Sequence, residues 1–200
     1  MQNILLDNLP QKCSAGLKIR TDFRESIKFE LLMQDKEITL EDKVKLTINL
    51  YYYEPNKIKD YKKALEDILW FYKCGKEKEQ NDEDEESEEE NEKVENGNTN
   101  KKQIYSYEFD AEYIYSAFME QYKIDLNSIK YLHWWKFKAL FNSLNESTLF
   151  SKIMSYRVTN TAKIKDAQTR KFYEKMQRLY QLPDMRSEEE KENDFANELW

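Results

Sequence analysis

The stretch from Gly75 to Gln103 constrains the fold of this chain more than any other feature. Val94 is its only hydrophobic residue, and residues 77–95 carry twelve acidic side chains against two lysines. A segment of this composition buries too little apolar surface to offset the entropy that is lost on ordering it. We therefore predict an acidic disordered linker over residues 75–103 that joins two folded halves.

The composition of the remaining chain favours α-helices. The 200 residues include only three glycines and three prolines, too few for the many turns of a β-sandwich or barrel. Lysine, glutamate and leucine, which are good helix formers, are abundant. The sequence therefore predicts a mainly α fold, a helical bundle, with a small N-terminal β-hairpin that turns at Ala15 and Gly16.

The linker divides the chain into parts. Residues 1–74 are predicted to hold the hairpin and the first helices. Residues 104–182 are predicted to form a C-terminal helical half that packs on the first half. A capping-box pattern near the C-terminal end predicts a charged tail helix over residues 183–200.

Capping residues and apolar periodicity predict where the individual helices begin and end. Thr39 is the expected N-cap of the second helix, and Gly75 is expected to end the third. In the second half, Asp110, Asp125 and Ser147 are each expected to open a helix, and a charged helix is expected over about 163–182.

Charge and hydropathy argue against two classes of partner. Residues 77–95 carry a net charge of −10, so the total of −7 leaves about +3 for the rest of the chain. An acidic protein is poorly suited to contacting phosphates, which disfavours nucleic acid. The longest apolar run, residues 68–72, is too short to cross a bilayer. We expect a soluble intracellular protein with no nucleic-acid or membrane partner.

Catalytic and metal-binding patterns are missing from the sequence. It contains no phosphate-binding glycine loop, no metalloprotease helix motif and no nucleophile elbow. Cys13 and Cys74 are far apart, and His133, the single histidine, lies in an aromatic segment that resembles a helix core. The sequence predicts no enzyme activity, no cofactor and no metal site.

Several short strings, taken together, identify a family. They occur in order along nearly the whole chain. The chain resembles the bacteriophage gene product fifteen family, small proteins of the tail gene cluster in tailed phages and prophages of Gram-positive bacteria. The strings are MQNILLDNLPQ at the start, TDFR at 21–24, YKIDL at 122–126, LHWWKFKAL at 132–140 and IMSYR at 153–157.

The resemblance implies a gene between those of the major tail protein and the tape measure protein, the usual place of a tail assembly chaperone. Such a chaperone would bind the tape measure protein, with the major tail protein as a second candidate partner. It would work in the cytoplasm of the bacterial host and be absent from the mature virion. Self-association stays open.

The resemblance carries no active site over to this chain. The matched motif positions have unassigned roles. Asp22 and Arg24 are nevertheless expected to fix the hairpin-to-helix junction through polar contacts. Arg157 is expected to end a helix, where its positive charge suits the helix dipole. Two alternatives remain: a structural tail component or adaptor of the virion, and an acidic regulatory or anti-host protein. The matched positions are Asp22, Arg24, His133, Trp134, Trp135 and Arg157.

Overall fold

The computed structural model describes residues 3–13, 15–76 and 103–183, and these residues form a mainly helical protein. They contain seven α-helices and no β-strand, which confirms that the fold is mainly α. The predicted acidic linker and tail helix lie largely outside the described residues. The helices are α1 (Phe23–Gln34), α2 (Leu40–Tyr51), α3 (Tyr61–Tyr72), α4 (Ala111–Tyr122), α5 (Trp134–Asn142), α6 (Leu149–Val158) and α7 (Ala167–Leu179).

The predicted N-terminal hairpin is wrong. The chain does turn at Gly16, where φ is +77°, but only an isolated bridge between Lys12 and Lys18 follows from this turn. Beyond it, the Ile19 N–H still donates to the Gln11 carbonyl at 3.0 Å, while Ile19 also forms an isolated bridge to Tyr52 at the end of α2. A two-stranded ribbon this short is marginal by itself, and the buried Ile19 side chain anchors the segment to the core.

Short-range capping signals located several helix starts well. Thr39 accepts a hydrogen bond from the Asp42 N–H and caps α2, as predicted. Ser147 was the wrong residue by one position, because Thr148 accepts from the Ser151 N–H and caps α6. A side-chain oxygen that satisfies one of the free N–H groups of the first turn explains each start.

The helix predicted to open at Asp125 begins nine residues later, at Trp134. The Asp125 carboxylate accepts from the Asn127 and Ser128 N–H groups and closes a single turn. Residues 130–133 then run without helical structure. The side-chain hydrogen bonds of Asp125 therefore compete with helix formation. Residues 130–133 stay outside the helix and contact another part of the fold.

The core lies around α5. Five of its nine residues are buried, and the Phe137 ring is fully enclosed. The Phe137 ring stacks on Phe23 from α1 and on Phe118 from α4. Helix α5 therefore joins the two halves of the chain through aromatic packing, which adds geometric preference to the burial of large apolar surface.

Candidate functional site

Residues 20–24 and 131–135 lie against each other and are called here the junction. The Phe23 N–H donates to the Leu132 carbonyl, and the Trp134 N–H donates to the Thr21 carbonyl. Asp22 and His133 form the antiparallel bridge between the two segments. The junction thus brings the TDFR and LHWW strings together, so that α1 and α5 begin side by side.

Asp22 and Arg24 stabilise the junction through polar contacts. The Asp22 carboxylate caps α1 by accepting from the Arg24 N–H, and it also accepts from the Leu132 N–H at 3.1 Å. The Arg24 guanidinium donates to the Leu126 and Ile129 carbonyls, both at 2.8 Å. These contacts therefore reach the second half of the chain rather than a hairpin.

His133 caps α5 with its side chain. The Nδ1 atom accepts from the Trp135 N–H at 3.1 Å, and Nε2 lies 3.1 Å from the Pro10 carbonyl oxygen. Because Nδ1 must be unprotonated to accept, the ring proton is on Nε2, and the Nε2–H donates a hydrogen bond to the Pro10 carbonyl oxygen. The imidazole is therefore neutral, and it connects the N-terminal segment to α5.

Trp134 and Trp135 cap the end of α3. The Trp134 Nε1–H donates to the Tyr72 carbonyl at 2.8 Å, and the Trp135 Nε1–H donates to the Phe71 carbonyl at 2.7 Å. Both carbonyls belong to the last turn of α3, where the usual N–H donor four residues later is missing, although the Phe71 carbonyl also accepts from the Cys74 N–H at 3.0 Å. The first turn of α5 thus satisfies the end of α3, with opposite helix-dipole ends in contact.

Arg157 forms a separate buried ion pair. Its guanidinium contacts both carboxylate oxygens of Asp110, at 2.6 and 2.8 Å, and the two side chains are 6% and 1% exposed. It also donates to the carbonyls of Ile104 and Tyr180. Asp110 does precede α4, but it makes no side-chain cap bond there. The Asp110 carboxylate instead pairs with Arg157. The Arg157 guanidinium thus holds the start of α4 together with the segments at Ile104 and Tyr180.

The six matched positions all make contacts that hold parts of the fold together. A family model described as bacteriophage Gp15 protein matches residues 5–182. The chain belongs to the bacteriophage Gp15 family. No curated protein and no solved structure matches the chain.

The match covers both the junction and the Arg157 ion pair of this Gp15 family protein. It ends at residue 182, just before the segment predicted as a tail helix. The resemblance that the sequence strings indicated is therefore confirmed at the level of the family.

The described residues of this Gp15 family member show no arrangement typical of a metal centre. No group of three or more His, Cys, Asp or Glu side chains in this part of the chain could hold a metal ion. Both nitrogen atoms of His133 are engaged with backbone groups. None of the described helices is long and apolar enough to span a membrane.

A small cavity opens between the N-terminal turn and the start of α3. Its volume is about 220 Å³, and Leu17, Tyr52, Ile58 and Lys63 are among the residues that line it. Pockets that enclose small-molecule ligands are typically about 300–1,000 Å³. The cavity is therefore smaller than a typical ligand pocket.

Two long-range contacts at or beside the junction were missed by sequence reasoning. Arg20 donates to the carbonyls of Leu50 and Tyr52 and so caps the C-terminal end of α2. The Pro10 carbonyl accepts from His133, although the two residues are 123 positions apart. Neither contact has a local pattern, so no feature of the sequence could have revealed it.

Burial lowers the pKa of His133 below the ordinary value of 6.5, and the hydrogen bond to Pro10 offsets only part of this shift. The unfolded chain therefore binds a proton at a higher pH than the folded chain does. We expect the free energy of unfolding to fall as the pH decreases below about 6.5, since stability increases with pH wherever the unfolded state binds more protons. Urea titrations at pH 7.5 and 5.5 measure this difference.

The matched control for this pH dependence is His133→Asn, which removes the only histidine but retains a residue suited to an N-cap. The variant should lose less stability than the parent protein over the same pH interval. Equal losses in the two proteins would contradict the role assigned to His133.

Proposed function

We propose that this protein is a phage tail assembly chaperone that binds the tape measure protein and keeps it soluble until the tail tube polymerises. The observation that carries the proposal is membership of the Gp15 family over residues 5–182. The resemblance implies the gene position of a tail chaperone for this family. On this proposal the protein is a binding protein rather than an enzyme, acts in the host cytoplasm and leaves before the virion matures.

A row of apolar side chains along α3 supports the proposal. Tyr61, Leu65 and Leu69 are spaced by four residues, so they lie along one line of the helix. Tyr61 is 50% exposed and Leu69 is 45% exposed, while Leu65 is half-buried against the core. The row is about 12 Å long at 1.5 Å per residue.

An amphipathic helix binds through apolar anchors with helical spacing, and such anchors would match the α3 row. A tape measure protein is expected to be long, helical and apolar. We therefore propose that the α3 row contacts the client. The matched family positions already contact other parts of the fold, which leaves a solvent-exposed row of this kind as a better contact surface.

Substituting Leu69 with glutamate is expected to weaken client binding by about tenfold or more, since the complex would bury an unpaired carboxylate. The stability of the free protein should change little because this side chain is partly exposed. Tagged variants are used to capture proteins from cells in which the phage is induced, and the tape measure protein is quantified by mass spectrometry.

The control for this experiment is Leu40→Glu, at the first position of α2, where leucine is 82% exposed. Glutamate is favoured in the first turn of a helix, and this site lies outside the α3 row. Equal capture of the client by the two variants would contradict the proposed surface.

Mass spectrometry of purified virions separates the proposed function from its alternatives. A chaperone should be lacking from the particles. A stoichiometric amount of this chain in the particles would instead support a structural tail component. Capture of host proteins without any tail protein would support a regulatory or anti-host role.

A further inference from the structure

Helix α7 has an uncovered face that is both apolar and basic. None of its residues is buried. Phe172 and Leu179, seven residues apart, are 48% and 63% exposed. Lys171, Lys175 and Arg178 are exposed as well. Lys175 lies three residues after Phe172 and four before Leu179, so it is beside both, and Lys171 and Arg178 lie next to Lys175 along the same side of the helix.

An adjoining face of α7 packs on α6. The Gln177 side-chain amide donates to the carbonyls of Tyr156 and Thr159 at the end of α6. The Tyr156 ring contacts the rings of Phe172 and Tyr173 and stacks on Tyr180. Helix α6 thus fixes α7 from one side, while Phe172 is still 48% exposed and the basic side chains lie in solvent.

The chain leaves α7 at a defined point. Arg157 donates to the Tyr180 carbonyl at 2.7 Å, and Pro183 cannot continue a helix in the usual way. Any segment that follows residue 183 therefore starts beside the C-terminal end of α7.

The segment that follows has the complementary chemistry. Residues 184–200 contain seven acidic and two basic side chains, a net charge of −5, together with Phe195, Leu199 and Trp200. Helix α7 carries four basic side chains and one acidic side chain, a net charge of +3. Acidic and apolar groups in the segment thus match basic and apolar groups on the uncovered face.

The length of the segment is sufficient to reach back along α7. The helix spans 13 residues, or about 20 Å, and 17 residues cover about 26 Å even when they are helical. A short tether also gives an effective concentration in the millimolar range, so a contact that is weak between separate molecules is occupied within one chain.

We propose that residues 184–200 dock on the uncovered face of α7 in the same molecule. Their carboxylates face Lys171, Lys175 and Arg178, and their apolar side chains cover Phe172 and Leu179. This docking does not depend on the chaperone function.

Hydrogen exchange in the full chain and in a chain that ends at Pro183 tests the docking. The amides of residues 172–179 should exchange about tenfold more slowly in the full chain, because docking adds to the free energy of local opening. The amides of α5 serve as the internal reference, since the truncation should not alter their exchange. Equal exchange of α7 in the two chains would overturn the proposal.

Charge reversal within the full chain provides a test that does not need truncation. Lys171→Glu with Lys175→Glu should remove the slow exchange of α7, and the addition of Glu188→Lys with Glu192→Lys should restore it. The control pair is Lys62→Glu with Lys130→Glu, at exposed lysines away from α7, which should leave the exchange unchanged. Lack of restoration, or protection that increases with protein concentration and so indicates a second copy, would contradict docking within one molecule.

Discussion

Replacing Arg157 with methionine is expected to lower the free energy of unfolding by about 3–5 kcal/mol, since removing one partner of a buried ion pair leaves an uncompensated charge. The Asp110 carboxylate is 1% exposed and would lose both guanidinium contacts. The carbonyls of Ile104 and Tyr180 would lose a donor as well. Urea denaturation followed by circular dichroism measures the change.

Two further variants separate the buried charge from the loss of contacts in general. Adding Asp110→Asn to Arg157→Met should recover part of the stability, because no charge is left buried and asparagine still accepts from the Ser106 N–H. Lys45→Met breaks the exposed pair with Glu41 and should leave stability nearly unchanged. If Arg157→Met is as mild as Lys45→Met, the ion pair does not hold the fold together.

Truncating Phe137 to alanine is expected to lower the free energy of unfolding by about 3–5 kcal/mol, the usual loss when a buried phenylalanine leaves a cavity. The ring is fully buried and contacts Phe23, Phe118 and Trp134. Domains of this size are typically stable by only about 5–15 kcal/mol, so this single change removes a large fraction. Thermal and urea unfolding measure the loss.

Phe109→Ala is the matched control for the core substitution. It removes the same side chain just before α4, where the ring is 42% exposed, so little transfer free energy and no closed cavity are involved. Similar losses for the two variants would contradict the central position assigned to α5.

The sequence predicted those features of the fold that depend on neighbouring residues. Thr39 caps α2 because its side chain reaches an N–H three residues away. The helical class follows from composition and from apolar periodicity that each segment carries by itself. In the same way, the aromatic character of residues 134–141 indicated a buried helix before any contact of its side chains was known.

Features that depend on distant residues could not be predicted in the same way. Residues 130–133 are not part of the predicted helix, because Leu132 and Trp134 make backbone hydrogen bonds to Phe23 and Thr21, more than 100 positions earlier. Asp110 looked like a helix cap, yet Arg157, 47 positions away, takes its carboxylate. In both cases a long-range contact overrides the local preference of the segment.

The structure also changes how the matched family positions are understood. Asp22, Arg24 and His133 connect backbone segments at the junction, and Trp134 and Trp135 satisfy the end of α3. Substitutions at these positions should act on stability first. A client surface is better sought among exposed side chains such as those of the α3 row.

The solubility of the tape measure protein during co-expression tests the proposed function most directly. The tape measure protein is produced alone, with this protein, or with its Leu69→Glu variant, and its soluble fraction is measured after centrifugation. The chaperone account predicts an insoluble client alone, a soluble complex with the parent protein and a marked loss of solubility with the variant. If the client were equally soluble or insoluble in all three cases, the account would be contradicted.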